Sequence, residues 1–351
     1  TILKFAPTAQ ANDPTFSEAQ LKEYEGQAIA IRSLMYFYLV RTFGDVPFIR
    51  EAYVNGSQQM SVAKSSEKEI LAGLVADLEM VETGNYLPGQ YSSTDIAQNK
   101  GRMTMWAVKA LLADIYLWQE EYEKCNRKCD EIIGSGQLLL VPVESRKIEV
   151  ENTEEGTTDI YYAPDQSSYY SLFQQIYYQG NSMESIFELQ FATDNLNPFY
   201  SLMSSGRGVI GVKTERVNSD IFPPLADEAY SGECFDIRSV ISQSKSCLWK
   251  YIGVEPNGSE RAQEEYTNNF IIYRLAEIYL MKAEALTQMA ILDSDNQELL
   301  KEAYAAVKVI RDRSTAVATT DIGQTEGSYS GKAMEEFVLA ERGRELIFEG
   351  K

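Results

Sequence analysis

The sequence predicts a mainly α fold of paired helices, with an irregular loop-rich region and a few short strands. Three observations carry this. Apolar residues recur at helical spacing over most of the chain. One internal stretch, 138–200, changes to short alternating runs rich in tyrosine. A hexapeptide, Leu112-Ala113-Asp114-Ile115-Tyr116-Leu117, recurs as Leu275-Ala276-Glu277-Ile278-Tyr279-Leu280.

The first helix is expected from Ser17 to Phe43, with Leu21, Ile29, Leu34, Tyr36, Phe37 and Val40 on its apolar positions. Ser17 and Gln20 form a capping-box pattern, and Gly44 followed by Pro47 marks the stop. Further helices are expected over 66–82, 103–118, 121–133, 270–289, 297–313 and 332–348. Ser185 to Phe191 alternates as a short strand does. Residues 200–265 collect Gly, Ser, Pro and Asn and read as long loops, which are usually functional or mobile.

Composition narrows the function. The 351 residues can bury a sizeable core, and 44% hydrophobic with 24% charged residues is ordinary for a globular chain. The longest apolar runs, such as 34–40, fall short of the roughly 20 residues of a membrane span. A net charge of −20 disfavours nucleic acid and anionic lipid surfaces. Histidine is absent, which removes imidazole-based catalysis and His-ligated zinc. Cys125, Cys129, Cys234 and Cys247 form no C-x-x-C. The first two read as small residues at helix contacts, and the disulfide state of Cys234 and Cys247 is not fixed by the sequence.

The hexapeptide sits in a wider pattern. Ala113 and Tyr116, then Tyr122, Cys125, Cys129 and Ile132, resemble the contact positions of a tetratricopeptide (TPR) helix pair. A small residue lets the partner helix approach, and aromatics fill the groove beside it. One such pair cannot bury its apolar face alone, so pairs stack.

Five segments in order resemble the SusD/RagB family. They are Glu25 to Pro47, with Arg32 and Gly44-Asp45-Val46-Pro47; Gly101-Arg102 with 107–113; Ser135-Gly136-Gln137-Leu138 with 184–191; Tyr273 to Leu286; and Glu341 to Gly350. The resemblance spans almost the whole chain. It implies a right-handed α-superhelix of TPR-like helix pairs carrying the irregular region. As domains it implies a single SusD-like domain over 1–351, with TPR-like pairs in 17–134, a loop-rich, ligand-binding region in 135–269 and TPR-like helices in 270–351. It also implies a lipoprotein at the outer-membrane surface of Bacteroidetes. Such a protein captures a glycan or oligosaccharide and delivers it to a SusC-type TonB-dependent transporter. It does no chemistry, uses no cofactor, binds no nucleic acid and meets the membrane only through a lipid anchor that this chain does not carry. No signal peptide or lipidation cysteine precedes Thr1, and the chain stops at Lys351 without a stop pattern, so both ends are expected to be cuts in a longer protein. A segment missing before the first full helix would leave the ligand site incomplete.

Sugars present apolar C–H faces ringed by hydroxyls, so a binder supplies aromatic platforms and polar neighbours. Trp106, Trp118, Tyr116 and Tyr279 lie in helical stretches and are expected in the core. The candidate ligand residues are the paired tyrosines Tyr161, Tyr162, Tyr169, Tyr170, Tyr177 and Tyr178, together with Trp249 and Asn257. On extended backbone, one tyrosine of each pair would face inward and the other outward. Trp249 has a second reading, as a buried anchor for the loops.

Two function classes compete with glycan capture. One is a binding module for peptides, or a TPR scaffold for proteins alone. The other is a glycoside hydrolase, which needs two opposed carboxylates. Asp159, Asp165 and Glu188 can be named for that role only because acids abound. Glu341, Glu345 and Glu349 recur on one helix face beside Arg342 and Arg344 and read as a solvated ion-pair ladder. Asp293-Ser294-Asp295-Asn296-Gln297-Glu298 has acids that suit calcium, but Glu298 stands where an EF-hand needs Gly. A helix N-terminus explains these residues more simply.

Overall fold

A computed structural model describes all residues except 57–60, 153–155, 205–209, 242, 245–246, 254, 256–258, 324–327 and 351. The chain is mostly helical and divides into two compact units, Thr1–Lys128 and Cys129–Lys351.

The first unit holds α1 (Ile2–Asn12), α2 (Glu18–Phe43), α3 (Glu67–Thr83), α4 (Ile96–Gly101) and α5 (Met105–Trp118); α6 (Tyr122–Ile133) begins in it. The expected capping box is formed: the Ser17 side chain accepts from Gln20 N, and the Gln20 side chain accepts from Ser17 N. Gly44 ends α2 at φ +65°, a conformation that favours glycine. Ile29, Leu34, Phe37 and Val40 of α2 and Ile70, Leu74, Leu78 and Val81 of α3 are all buried. Two carboxylates of α3 tie its neighbours to it. Asp77 accepts from Arg32 of α2 at 2.7 Å and also pairs with Arg50. Glu82 accepts from Lys109 of α5 at 2.5 Å and from Lys128 of α6 at 2.7 Å. Burial pushes the Glu82 carboxyl up, but these two lysines outweigh burial and hold it below its ordinary range.

Gly26 is a helical glycine with a packing reason. A Cβ there would lie 2.8 Å from Leu87 Cδ2 and 2.9 Å from Tyr86 Cβ. Gly26→Ala gains about 1 kcal/mol of helix propensity, yet overpacking of this kind costs about 1–3 kcal/mol. We expect a lower melting temperature in calorimetry; a higher one would mean that the 86–87 segment yields freely.

Trp118 departs from the core expectation. It is 46% exposed, because α5 ends there, and Arg41 stacks over its ring at 5.4 Å while Trp118 Nε1 donates to Glu67 at 2.7 Å. Tyr116 is buried as expected, whereas Trp106 and Tyr279 are only partly so. The repeated hexapeptides also occupy different stations. Residues 112–117 end α5, but 275–280 open a long helix, so their likeness is one of local packing and not of matched repeat positions.

The second unit begins with the hairpin β1 (Ser145–Asn152) and β2 (Thr157–Pro164), then α7 (Gln166–Phe173) and β3 (Ser185–Leu189). Short pieces follow: α8 (Tyr200–Met203), α9 (Thr214–Arg216), α10 (Ile237–Ile241), β4 (Gln243–Ser244), β5 (Cys247–Leu248) and α11 (Trp249–Ile252). It closes with β6 (Phe270–Arg274), α12 (Leu275–Leu292), α13 (Gln297–Arg313) and α14 (Gly331–Leu346). The helix expected from Phe270 therefore starts five residues late. Phe-Ile-Ile-Tyr is β-branched and aromatic, and it pairs antiparallel with β3, the strand the alternation had marked. On α12, Ala276, Ala283 and Ala290 recur every seventh residue and share a core with Ala303 and Ala306 of α13. Small residues at these contacts permit the close helix approach expected of TPR-like pairs. Asn296 caps α13 through Glu298 N and Leu299 N.

The Glu341 ladder is the largest correction. It is buried, not solvated: Glu341, Glu345 and Glu349 are 0%, 3% and 8% exposed. Arg274, at 1% exposure, donates from all three of its nitrogens. Nε reaches Glu349 at 3.0 Å, Nη1 reaches Glu184 at 3.0 Å and Glu345 at 2.7 Å, and Nη2 reaches the Glu345 carbonyl at 2.9 Å and Glu349 at 2.7 Å. Arg313 also binds Glu184 and Glu345. Arg238 grips Asp236 with two nitrogens and reaches Glu345 at 3.0 Å. Arg311 and Arg344 share Glu341, and Lys250 donates to Glu349 at 2.7 Å. Periodicity placed Glu341 and Glu345 on one helix face, but α14 ends at Leu346 and Glu349 follows in a turn; nor did periodicity show that these acids turn inward onto arginines from 238, 274, 311 and 313. This lattice binds the loop-rich residues and the C-terminal helices into one body.

Candidate ligand-binding site

The hairpin supplies the most exposed of the proposed aromatic residues whose side chains are described. Its register places Tyr162 opposite Lys147 and Tyr161 opposite Ile148. Strand alternation sends the two tyrosines to opposite faces. Tyr161 turns inward, beside Ala163, Leu225, Cys234 and Val317, with its ring 5.5 Å from that of Tyr230 and its hydroxyl 3.3 Å from Asp227. Burial and the charges of Asp159 and Asp227 raise its pKa, so it stays a neutral donor. Tyr162 turns outward and is 50% exposed. Ile160, two residues along the same face, is 48% exposed. Lys147 and Glu149, opposite them, pair with each other at 2.5 Å. The result is an apolar platform edged by a neutralised ion pair.

A cleft of about 720 Å³ opens at the base of the hairpin. Glu144, Ser145 and Arg146 line it on one side, Ala163, Pro164 and Asp165 on the other, and Gly232 and Glu233 at its end. Ser145 and Pro164 belong to Tyr162's face of the hairpin and Arg146 and Ala163 to Tyr161's, so both faces contribute to the lining. Arg146 joins the hairpin to the 230s turn through Glu233 at 2.6 Å. Asp165 starts α7: its side chain accepts from Ser167 N at 3.1 Å and its carbonyl from Ser168 N at 2.9 Å. The lining thus combines carboxylates, a guanidinium and a hydroxyl, groups that hydroxyl-rich ligands use, and the exposed Tyr162 lies two residues along β2 from Pro164.

The other proposed site residues are not gathered here. Trp249 is 5% exposed and packs edge-on to Phe173 at 6.0 Å, in a core with Leu172, Ile176 and Tyr266. Tyr177 is 6% exposed and donates to Glu349 at 2.8 Å. Both are anchors of the unit, and neither offers a face to a ligand. Tyr178 is partly exposed, but Arg261 covers its ring at 3.7 Å and its hydroxyl donates to Glu255. The pairs 169–170 and 177–178 lie on helical backbone, not extended backbone, so the alternation argument holds only for 161–162. The side chains of Tyr169 and Tyr170, and all of Asn257, lie outside the described residues. Sequence reasoning did not connect Glu144, Arg146 and Glu233 to the site; the hairpin pairing that sets Arg146 opposite Ala163 and Glu144 beside Asp165 was the missing signal.

Of the named hydrolase candidates, Asp159 lies on β2 opposite Val150 and Asp165 directly follows that strand. Glu188 is 0% exposed and accepts from Asn269 at 2.8 Å and from Asn181 N at 2.9 Å, while Asp165 caps a helix. Cys234 is a free, buried thiol, with its pKa raised chiefly by burial. Among the described residues, no group of three or more Cys, Asp and Glu is placed to hold a metal ion, and no helix is long and apolar enough to cross a membrane.

Comparison with known proteins agrees with this architecture. Residues 242–351 match the model of the SusD family, and residues 9–117 match one described as starch-binding, associating with the outer membrane. SusD-like protein P2 of Formosa agariphila is 24% identical over 350 residues, covering 95% of this chain and 64% of that protein. A SusD-like protein of Bacteroides fragilis superposes with a TM-score of 0.66 at 20% identity, covering 95% of this chain and 68% of that one. Surface glycan-binding protein A of Bacteroides uniformis superposes at 0.63 with 21% identity, covering 95% and 66%. The chain is thus similar to SusD-type proteins over both matched segments and, in curated relatives, along almost its whole length. It spans about 64% of the length of the curated relatives it matches.

Proposed function

We propose that this chain is the greater part of an outer-membrane-associated, non-catalytic glycan-capture protein that holds oligosaccharides at the hairpin cleft. In this reading it is a cell-surface lipoprotein and delivers its ligand to a SusC-type TonB-dependent transporter. The observation that carries the reading is an exposed tyrosine on the hairpin with an open polar cleft at the hairpin's base, on a chain similar in structure to a protein named for surface glycan binding. Affinity electrophoresis in gels containing a panel of polysaccharides tests it. We expect retardation by at least one glycan, weakened about tenfold in Tyr162→Ala, since an aromatic platform contributes about 1.5 kcal/mol. Tyr162 is half exposed, so its removal leaves the core intact. Trp249→Ala is a poor probe by comparison, because emptying that core position costs about 3–5 kcal/mol of stability. Retardation by no glycan, with binding of peptides instead, would favour peptide capture.

A further inference from the structure

We propose that the hairpin cleft selects its ligand by charge, taking neutral or amino-bearing oligosaccharides and rejecting polymers that carry carboxylate or sulfate. This rests on the glycan-capture reading and assigns its substrate class. The lining carries three carboxylates, Glu144, Asp165 and Glu233, against one guanidinium, Arg146. Arg146 is engaged with Glu233 at 2.6 Å, so it neutralises one wall residue and leaves two negative charges on the cleft. The nearest charges along the platform, Lys147 and Glu149, pair with each other and offset nothing in the cleft. Carboxylates accept charge-assisted hydrogen bonds from sugar hydroxyls and from ammonium groups. The carboxylate of a uronate, or a sulfate ester, adds only acceptors and more negative charge, and like charges set against each other at an interface are strongly disfavoured. Tyr162 does not discriminate on this axis, because any pyranose has an apolar face to lay on it.

The test compares matched polymers. The whole chain is run in gels containing dextran, soluble starch, xylan or galactomannan, and in gels containing the carboxymethyl derivative of each. Two charge variants run beside it: Glu144→Gln/Glu233→Gln in the cleft, and Glu18→Gln/Glu302→Gln at exposed sites elsewhere. We expect the retarding polymer to lose at least about tenfold in affinity when carboxymethylated, the cleft variant to recover much of that loss, and the distant variant to recover little. Equal or stronger binding of the carboxymethyl form would overturn charge selection while leaving glycan capture standing. Equal recovery by both variants would trace the effect to the chain's overall −20 charge and would also overturn the proposal. Retardation by no polymer of either kind would overturn the capture reading and this inference with it.

Discussion

Arg274→Met is expected to destabilise the second unit by about 3–5 kcal/mol, the range for removing one partner from a buried charge group. Arg274 is 1% exposed, and its five donor contacts end on Glu184, Glu345 and Glu349. Methionine fills much of the same volume but leaves three buried carboxylates short of their shared cation. Arg274→Lys should recover only part of the loss, because an ammonium is a point charge with three donors and cannot span the fork. Urea unfolding monitored by circular dichroism gives the comparison. A loss below about 1 kcal/mol for Arg274→Met would mean that water reaches the lattice and replaces the guanidinium.

Acid should weaken the same lattice. Burial pushes the Glu349 carboxyl up, but Arg274 and Lys250 outweigh it and hold it at about 2, below the ordinary value of 4.5. Glu345 is held well below that value against burial by Arg313, Arg274 and Arg238, and Glu341 is lowered by Arg238, Arg344 and Arg311. A carboxylate whose pKa is depressed on folding binds its proton more readily when unfolded. Its contribution is therefore complete above about pH 4.5 and is lost as pH falls toward 2. For Glu349 alone the change is on the order of 3 kcal/mol. Urea midpoints measured from pH 6 down to pH 2.5 should fall most steeply below pH 4.5, and Glu349→Gln, less stable at pH 6, should show a shallower fall. Equal slopes would place the acid sensitivity outside the lattice.

Local signals made much of the fold legible. The Ser17 cap, the Gly44 stop and the apolar faces of α2 and α3 are properties of short windows, and they appear where the windows put them. Long-range pairing was not legible. Phe270 to Arg274 reads as the start of a helix until its partner strand, 85 residues earlier, is in view. The Glu341, Glu345 and Glu349 spacing fits a wet surface or a buried lattice equally well, and only the arriving arginines decide between them. The same limit applied to the candidate site. Paired tyrosines at 161–162, 169–170 and 177–178 look alike in sequence, yet one pair sits on a strand and two on helices, and Tyr177 joins the core with Trp249. The cleft residues come from either end of a hairpin and from a turn near 232, a set that no single motif contains.

Ligand placement at the hairpin cleft is tested most directly by hydrogen exchange of the whole chain, with and without the polysaccharide that retards it most. Added protection is expected to concentrate in residues 144–165 and 227–233, and Tyr162→Ala to abolish it at the same polysaccharide concentration. Protection confined to residues 1–128, or to the 249–270 segment, with the hairpin unchanged, would contradict placement at the cleft.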